Sequence, residues 1–166
     1  QIMKNSIKAF TLHLIIVGIT FVLLIGFVST GPTLGRYTTN IISRLFFTMV
    51  LIGFYVYAGM LLDIKKDKRY DFIVGSLIAI AGIGLWLYTF LKTDKNLIHT
   101  PKELSEYWIV FNLYHSPFTM IYFFLGLNTS PILSLFTNLL PSLLIGCGMK
   151  YKRLKLRILQ NGLPRR

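Results

Sequence analysis

The residues whose types and spacing could do chemistry lie in and just before one apolar stretch, HSPFTMIYFFLGLNTSPILSLFTNLLP, residues 115–141. They are Asn112, His115, Ser116, Pro117, Asn138 and Pro141. A proline inside a helix lacks an N–H and clashes with the carbonyl four residues back, so Pro117 and Pro141 would free the carbonyls of Leu113 and Thr137. A freed carbonyl in hydrocarbon needs a donor, and His115, Ser116, Asn112 and Asn138 are the nearest polar candidates. Paired breaks of this kind build ion and substrate sites at mid-depth in many transporters. In a simple hairpin about the NTSP turn, Pro117 and Pro141 each lie about 15–16 Å from the turn and face one another at about half the depth of a membrane core. His115 could then carry a proton or touch a ligand, because an imidazole titrates near neutrality. The plainer reading is two proline kinks patched by neighbouring hydroxyls and amides, with His115 neutral and hydrogen-bonded.

Other chemistry finds little support. His13 is close to the mouth of the first apolar run and His99 is in a loop, so the three histidines show no metal-ligand spacing. All six acids fall in loops or at the ends of apolar runs, which leaves a proton relay without a mid-depth carboxylate. Asp63 and Asp71 bracket a basic loop and could imitate an acid pair that handles headgroups, but balancing nearby cations is the simpler role. No nucleophile–base set, zinc-protease motif or phosphate-binding glycine loop appears. Cys147 is the single cysteine, read as a small packing residue with palmitoylation as the minor alternative. No metal and no cofactor are expected, and the enzyme reading leans negative.

The elements that must position these residues follow from composition. With 54% hydrophobic and 14% charged residues and a mean hydropathy of +0.60, the chain is unlike a soluble domain, in which about a quarter of residues are charged. A net charge of +12 could suit a nucleic-acid binder, but such a protein needs its basic residues on one folded, water-facing surface. Here the cations sit in short clusters between long apolar runs. The pattern predicts an all-α, polytopic membrane protein in one domain, residues 1–166, whose last two helices are proline-broken. Few alanines beside abundant Ile, Phe, Tyr and Asn hint at an AT-rich bacterial genome.

Five apolar segments can be marked: 9–30, 41–62, 72–91, 108–127 and 132–149. The first is too long for a signal core and lacks a clean cleavage site, so it is read as a retained span. GPTLGRYTTN, 31–40, reads as a loop, and Arg44 as a residue snorkelling to the interface. Gly75, Ala79 and Gly82 share one helical face and form the expected packing seam. Thr100, Pro101 and Glu103 fit a helix start. The tail 150–166 carries Lys150, Lys152, Arg153, Lys155 and Arg157. Together with Lys65, Lys66, Lys68 and Arg69 of the tight loop, these are read as topology signals that attract anionic lipid headgroups. Tyr151, Leu154 and Ile158 share a face that could lie along the membrane surface before Gly162 and Pro164 stop the helix.

Span parity is in conflict. Five crossings put twelve basic residues inside against six, whereas an even number puts thirteen inside against five and keeps both dense clusters on the cytoplasmic side. The even arrangement requires segments four and five to cross only once between them. Five literal crossings are the favoured expectation. The functional expectation is a small plasma-membrane protein with a cytoplasmic tail, acting by helix–helix contact as an accessory, regulatory or immunity-type component. Its partners would be the lipid bilayer, a larger membrane complex or further copies of itself, and not nucleic acid. The alternatives are a small oligomeric transporter or channel with its site at the Pro117/Pro141 breaks, and a lipid-modifying membrane enzyme using His115.

Overall fold

A computed structural model of the chain describes residues 2–64, 68–93, 95–98 and 102–161. Every regular element among them is helical: α1 (Ile2–Thr30), α2 (Pro32–Thr39), α3 (Ile41–Leu61), α4 (Ser76–Lys92), α5 (Ile109–Tyr114), α6 (Ser116–Leu125), α7 (Pro131–Thr137) and α8 (Leu140–Asn161), with 3-10 turns at Lys68–Asp71 and Lys102–Trp108. Four stretches are long and apolar enough to cross a membrane: Met3–Thr30, Ile41–Leu61, Arg69–Lys92 and Pro131–Leu159. The expected loop 31–40 is instead mostly the short helix α2. Pro32 sits in its first turn, where a missing N–H costs nothing, and Asn40 ends it by capping α3 through a 2.9 Å bond from the Ile42 N–H. Thr100 and Pro101 of the expected helix start lie outside the described residues, as do Lys65, Lys66, Gly162 and Pro164. The chain resumes at Lys102 as a 3-10 turn.

Cross-links fix which helix ends lie together. Asn5 donates to the Asp63 carbonyl at 2.8 Å, Lys8 pairs with Asp63 at 2.9 Å, Lys152 donates to the Leu62 carbonyl at 2.7 Å, and Arg153 pairs with Asp71 at 2.7 Å. The start of α1, the end of α3, the turn before α4 and the second half of α8 therefore share one end, called here the basic end. The opposite end holds Phe27, Phe47 and Phe124 packed ring on ring, and Trp86 reaching the Pro131 carbonyl at 2.8 Å.

The fourth apolar segment differs from the expected span. It is broken at His115, and its pieces of six and ten residues measure about 9 and 15 Å, each well short of a core of about 30 Å. Ser105 and Trp108 before α5 line the same cavity as Asn128, Thr129 and Ser130 after α6. The chain thus leaves the opposite end, reaches the bundle interior at His115 and returns to the end it left. This is the re-entrant arrangement that an even number of crossings requires, and where two spans were expected it leaves one stretch of membrane-spanning length, Pro131–Leu159, made by α7 and α8.

Close backbone approach holds the bundle together. A Cβ on Gly59 of α3 would run into the Ile145 carbonyl of α8, and a Cβ on Gly148 into the Val56 carbonyl. Helices in lipid gain by packing this tightly, because the bilayer competes equally for ordinary apolar side chains. The face of Gly75, Ala79 and Gly82 turns inward within the same chain: Gly75 abuts Ser142, and Gly82 abuts Asn138 and Tyr114. Gly146 takes the ring of Phe72. Cys147 is exposed rather than packed, because α8 turns Gly146 and Gly148 to the bundle and the residue between them away.

Candidate functional site

The break in the fourth segment follows from Pro117. With no N–H at 117, the backbone at His115 opens to φ −91° and ψ 8°, and α6 restarts at Ser116 with proline in its first turn. The His115 N–H still closes onto the Phe111 carbonyl at 2.8 Å, and the His115 carbonyl accepts from both Phe118 and Thr119 at 3.0 Å. The second break is alike: α7 ends at Thr137, and α8 starts at Leu140 with Pro141 next in the chain. Asn138 and Leu139 carry the bend.

The two breaks meet through side chains. His115, only 2% exposed, places Nε2 2.9 Å from the Thr137 hydroxyl, which Tyr122 also reaches. Tyr122 donates to the Thr137 hydroxyl, whose proton has the Leu133 carbonyl at 3.0 Å and the Ser134 carbonyl at 3.2 Å as acceptors, and the His115 tautomer sets the direction of the Nε2–Oγ1 bond. Ser116 turns away from the freed Leu113 carbonyl and bonds Thr20 of α1 at 3.1 Å, with the Val17 carbonyl at 3.4 Å. Pro117 and Asn138 are buried, and Asn138 lies against Gly82 with its amide nitrogen unpartnered among the described residues. Pro141 is buried one residue before Ser142, whose hydroxyl donates to the Phe72 carbonyl at 3.1 Å. Asn112 does not join this group. It is exposed and faces the cavity at the opposite end, because the bend at His115 turns α5 outward.

Replacing Thr137 with valine keeps the shape and removes the hydroxyl that partners two buried groups, the Tyr122 hydroxyl and His115 Nε2. Leaving a buried group unsatisfied costs about 1–3 kcal/mol, so Thr137→Val is expected to lower stability by roughly 2–4 kcal/mol in reversible unfolding from detergent micelles. Phe136→Ala, at an exposed position on the same helix, should cost much less.

Sequence reasoning missed His13. Because α1 starts well before residue 9, His13 is a full two turns deeper than expected and only 1% exposed. It shares a 2.9 Å hydrogen bond with the Tyr55 hydroxyl and lies edge-on to Tyr114, whose own hydroxyl donates to the Ile78 carbonyl at 2.8 Å. Tyr55 and Phe118 link the two imidazoles through ring contacts with centroids 5.2–5.9 Å apart. Arg44 also has a role beyond snorkelling: its Nε donates to the Phe124 carbonyl at the end of α6, beside Gly126, which holds φ +68°.

The basic residues divide. Lys152 and Arg153, read from sequence as headgroup contacts, turn inward to Leu62 and Asp71, because α8 runs unbroken through the tail and keeps that face on the bundle. Lys150, Lys155 and Arg157 stay exposed, as does Arg69; the side chain of Lys68 lies outside the described residues. Asp63 and Asp71 are taken by Lys8 and Arg153, from helices distant in sequence. Among the described residues, no group of three His, Cys, Asp or Glu could hold a metal ion.

The cavity at the opposite end encloses about 810 Å³ and is lined by Ser105, Trp108, Asn112, Thr129, Ser130 and Ser134, among others. Ser130 also caps α7 by accepting from the Leu133 N–H at 3.3 Å, which satisfies one of the free N–H groups at the helix start. The polar NTS run before Pro131 was the available signal, but sequence alone did not bring it beside Asn112. No protein-family model, no curated protein and no solved structure matches the chain.

Proposed function

We propose that the protein is a small, non-enzymatic membrane component that acts by contact, as an accessory, regulatory or immunity-type protein. One observation carries this reading: His115 and Ser116, the polar side chains beside the first break, bond to the chain's own hydroxyls. His115 is held by Thr137, Ser116 by Thr20, and Gly82 is pressed against Asn138, which supports a packed interior over a mid-depth substrate site. The lipid-modifying reading would rest on His115, which is buried and hydrogen-bonded. Outward-facing Ile15, Val22 and Val28 of α1 are apolar and exposed, which suits both lipid and a partner helix. We assign the basic end to the cytoplasmic side of a bacterial plasma membrane, with Lys150, Lys155 and Arg157 against anionic headgroups.

The test is photo-crosslinking from Ile15 and Val22 in the native membrane. A discrete protein adduct, the same partner or a second copy each time, is the expected result; labelling of lipid alone would sink the reading. A transporter is the second reading, favoured by the unpartnered His13 Nε2 and Asn138 Nδ2 in the interior. It requires liposome flux that His115→Ala and Pro141→Ala abolish while insertion is kept, and the contact reading expects no flux from the parent protein.

A further inference from the structure

The cavity at the opposite end poses a physical problem of its own. Asn112 is exposed on a re-entrant helix and Ser134 lies one turn inside α7, so the polar lining reaches into the part of the molecule that lipid would surround. An exposed amide facing hydrocarbon is costly, and irregular backbone at such depth is tolerated where it lines a cavity that holds something polar. Among the described lining residues no side chain is charged, while hydroxyls and amides supply donors and acceptors together. Trp108 is 6% exposed and its indole N–H finds no acceptor among the described residues. An ionised ligand would lose its hydration there without gaining a counter-charge from the described lining residues. A ligand rich in neutral hydroxyls would match the lining group for group, and the volume falls within the range of small-molecule sites, roughly 300–1,000 Å³.

We infer that this cavity binds an uncharged glycan, either as a free oligosaccharide or as the headgroup of a neutral glycolipid. Its place at one end of the bundle, beside Trp86 and Trp108, is where aromatic side chains mark the membrane–water boundary. The glycan hydroxyls bond Asn112, Ser134 and their neighbours, and a glycan oxygen accepts from Trp108.

The chain supplies its own reporter, because it has two tryptophans, of which Trp108 lines this cavity and Trp86 bonds the carbonyl of its lining residue Pro131. The full chain is placed in phosphatidylcholine nanodiscs and its tryptophan emission followed during titration with maltotriose, and separately in nanodiscs containing diglucosyl-diacylglycerol. A saturable change with maltotriose identifies a free glycan, and one with the glycolipid alone identifies a headgroup. Asn112→Leu, at an exposed position that the packing does not use, should weaken the response about tenfold, the effect of losing one or two good hydrogen bonds. Trp108→Phe removes the indole donor, keeps Trp86 as reporter, and should weaken it similarly. The inference is overturned by no response to either glycan, by an unchanged response in Asn112→Leu, or by an equal response to glucose 6-phosphate or an uncharged Gly-Ser peptide.

Discussion

Gly148→Ala is expected to destabilise the folded protein by at least about 3 kcal/mol, the upper range for overpacking, and to reduce the folded fraction recovered in mild detergent. The added methyl would run into the Val56 carbonyl of α3, and both groups belong to helix backbones that cannot step aside as a side chain can. Gly59→Ala strikes the Ile145 carbonyl from the other side and should behave alike. Gly53 lies on the same helix α3 with nothing within 4 Å of the place a Cβ would take, so Gly53→Ala should be neutral or gain up to about 1 kcal/mol of helix propensity. Unfolding of all three variants by sodium dodecyl sulfate in mixed micelles reads the difference directly. Equal midpoints for Gly53→Ala and Gly148→Ala would mean that α3 and α8 do not cross this closely.

Removing one member of the Asp71–Arg153 pair should be comparably costly. Arg153 binds both carboxylate oxygens, at 2.7 and 3.0 Å, and the side chains are only 3% and 13% exposed for Asp71 and Arg153. A buried charge left alone costs about 3–5 kcal/mol, so Asp71→Leu and Arg153→Met are each expected to fall in that range. The double replacement Asp71→Leu with Arg153→Met should recover most of the loss, because well-packed apolar residues often match a buried pair. Measured as a double-mutant cycle, simple additivity would show that the pair does not form. The exposed Lys8–Asp63 pair offers the contrast. The Lys8 hydrogen bond and charge hold the Asp63 carboxyl below its ordinary range. Its contribution is therefore present above the usual carboxylate pKa and is lost as pH falls through the lowered value. Exposed pairs contribute little, so Lys8→Gln should barely move the neutral-pH midpoint.

Much of the architecture is legible in the residues. Long apolar runs separated by charge clusters mark the helices, and Pro117 and Pro141 mark where they break. The direction of the chain after Pro117 is not legible, because a spanning and a re-entrant segment need the same apolar composition over 108–127. What decides it is tertiary: His115 meets Thr137, and Ser116 meets Thr20 of α1. Gly59 and Gly148 meet at one contact but give no signal in the sequence, because they lie on helices far apart in the chain, whereas Gly75, Ala79 and Gly82 form a visible stripe on one helix face. His13 lies deeper than its place in the first apolar run suggests, because polar Lys4 and Asn5 before that run are helical too. Asn112 looks like a partner for His115 on helical spacing, and the bend at His115 separates them.

The central structural claim is that α5 and α6 leave and return to the same end of a bundle with four stretches long enough to cross a membrane. Single cysteines at Lys95 and Thr129, and at Lys8 and Lys155, introduced into a Cys147→Ser background, test it through labelling with a membrane-impermeant maleimide in right-side-out and inverted vesicles. The re-entrant arrangement predicts that Lys95→Cys and Thr129→Cys are labelled from one face, and Lys8→Cys and Lys155→Cys from the other. Labelling of Lys95→Cys and Thr129→Cys from opposite faces would contradict it.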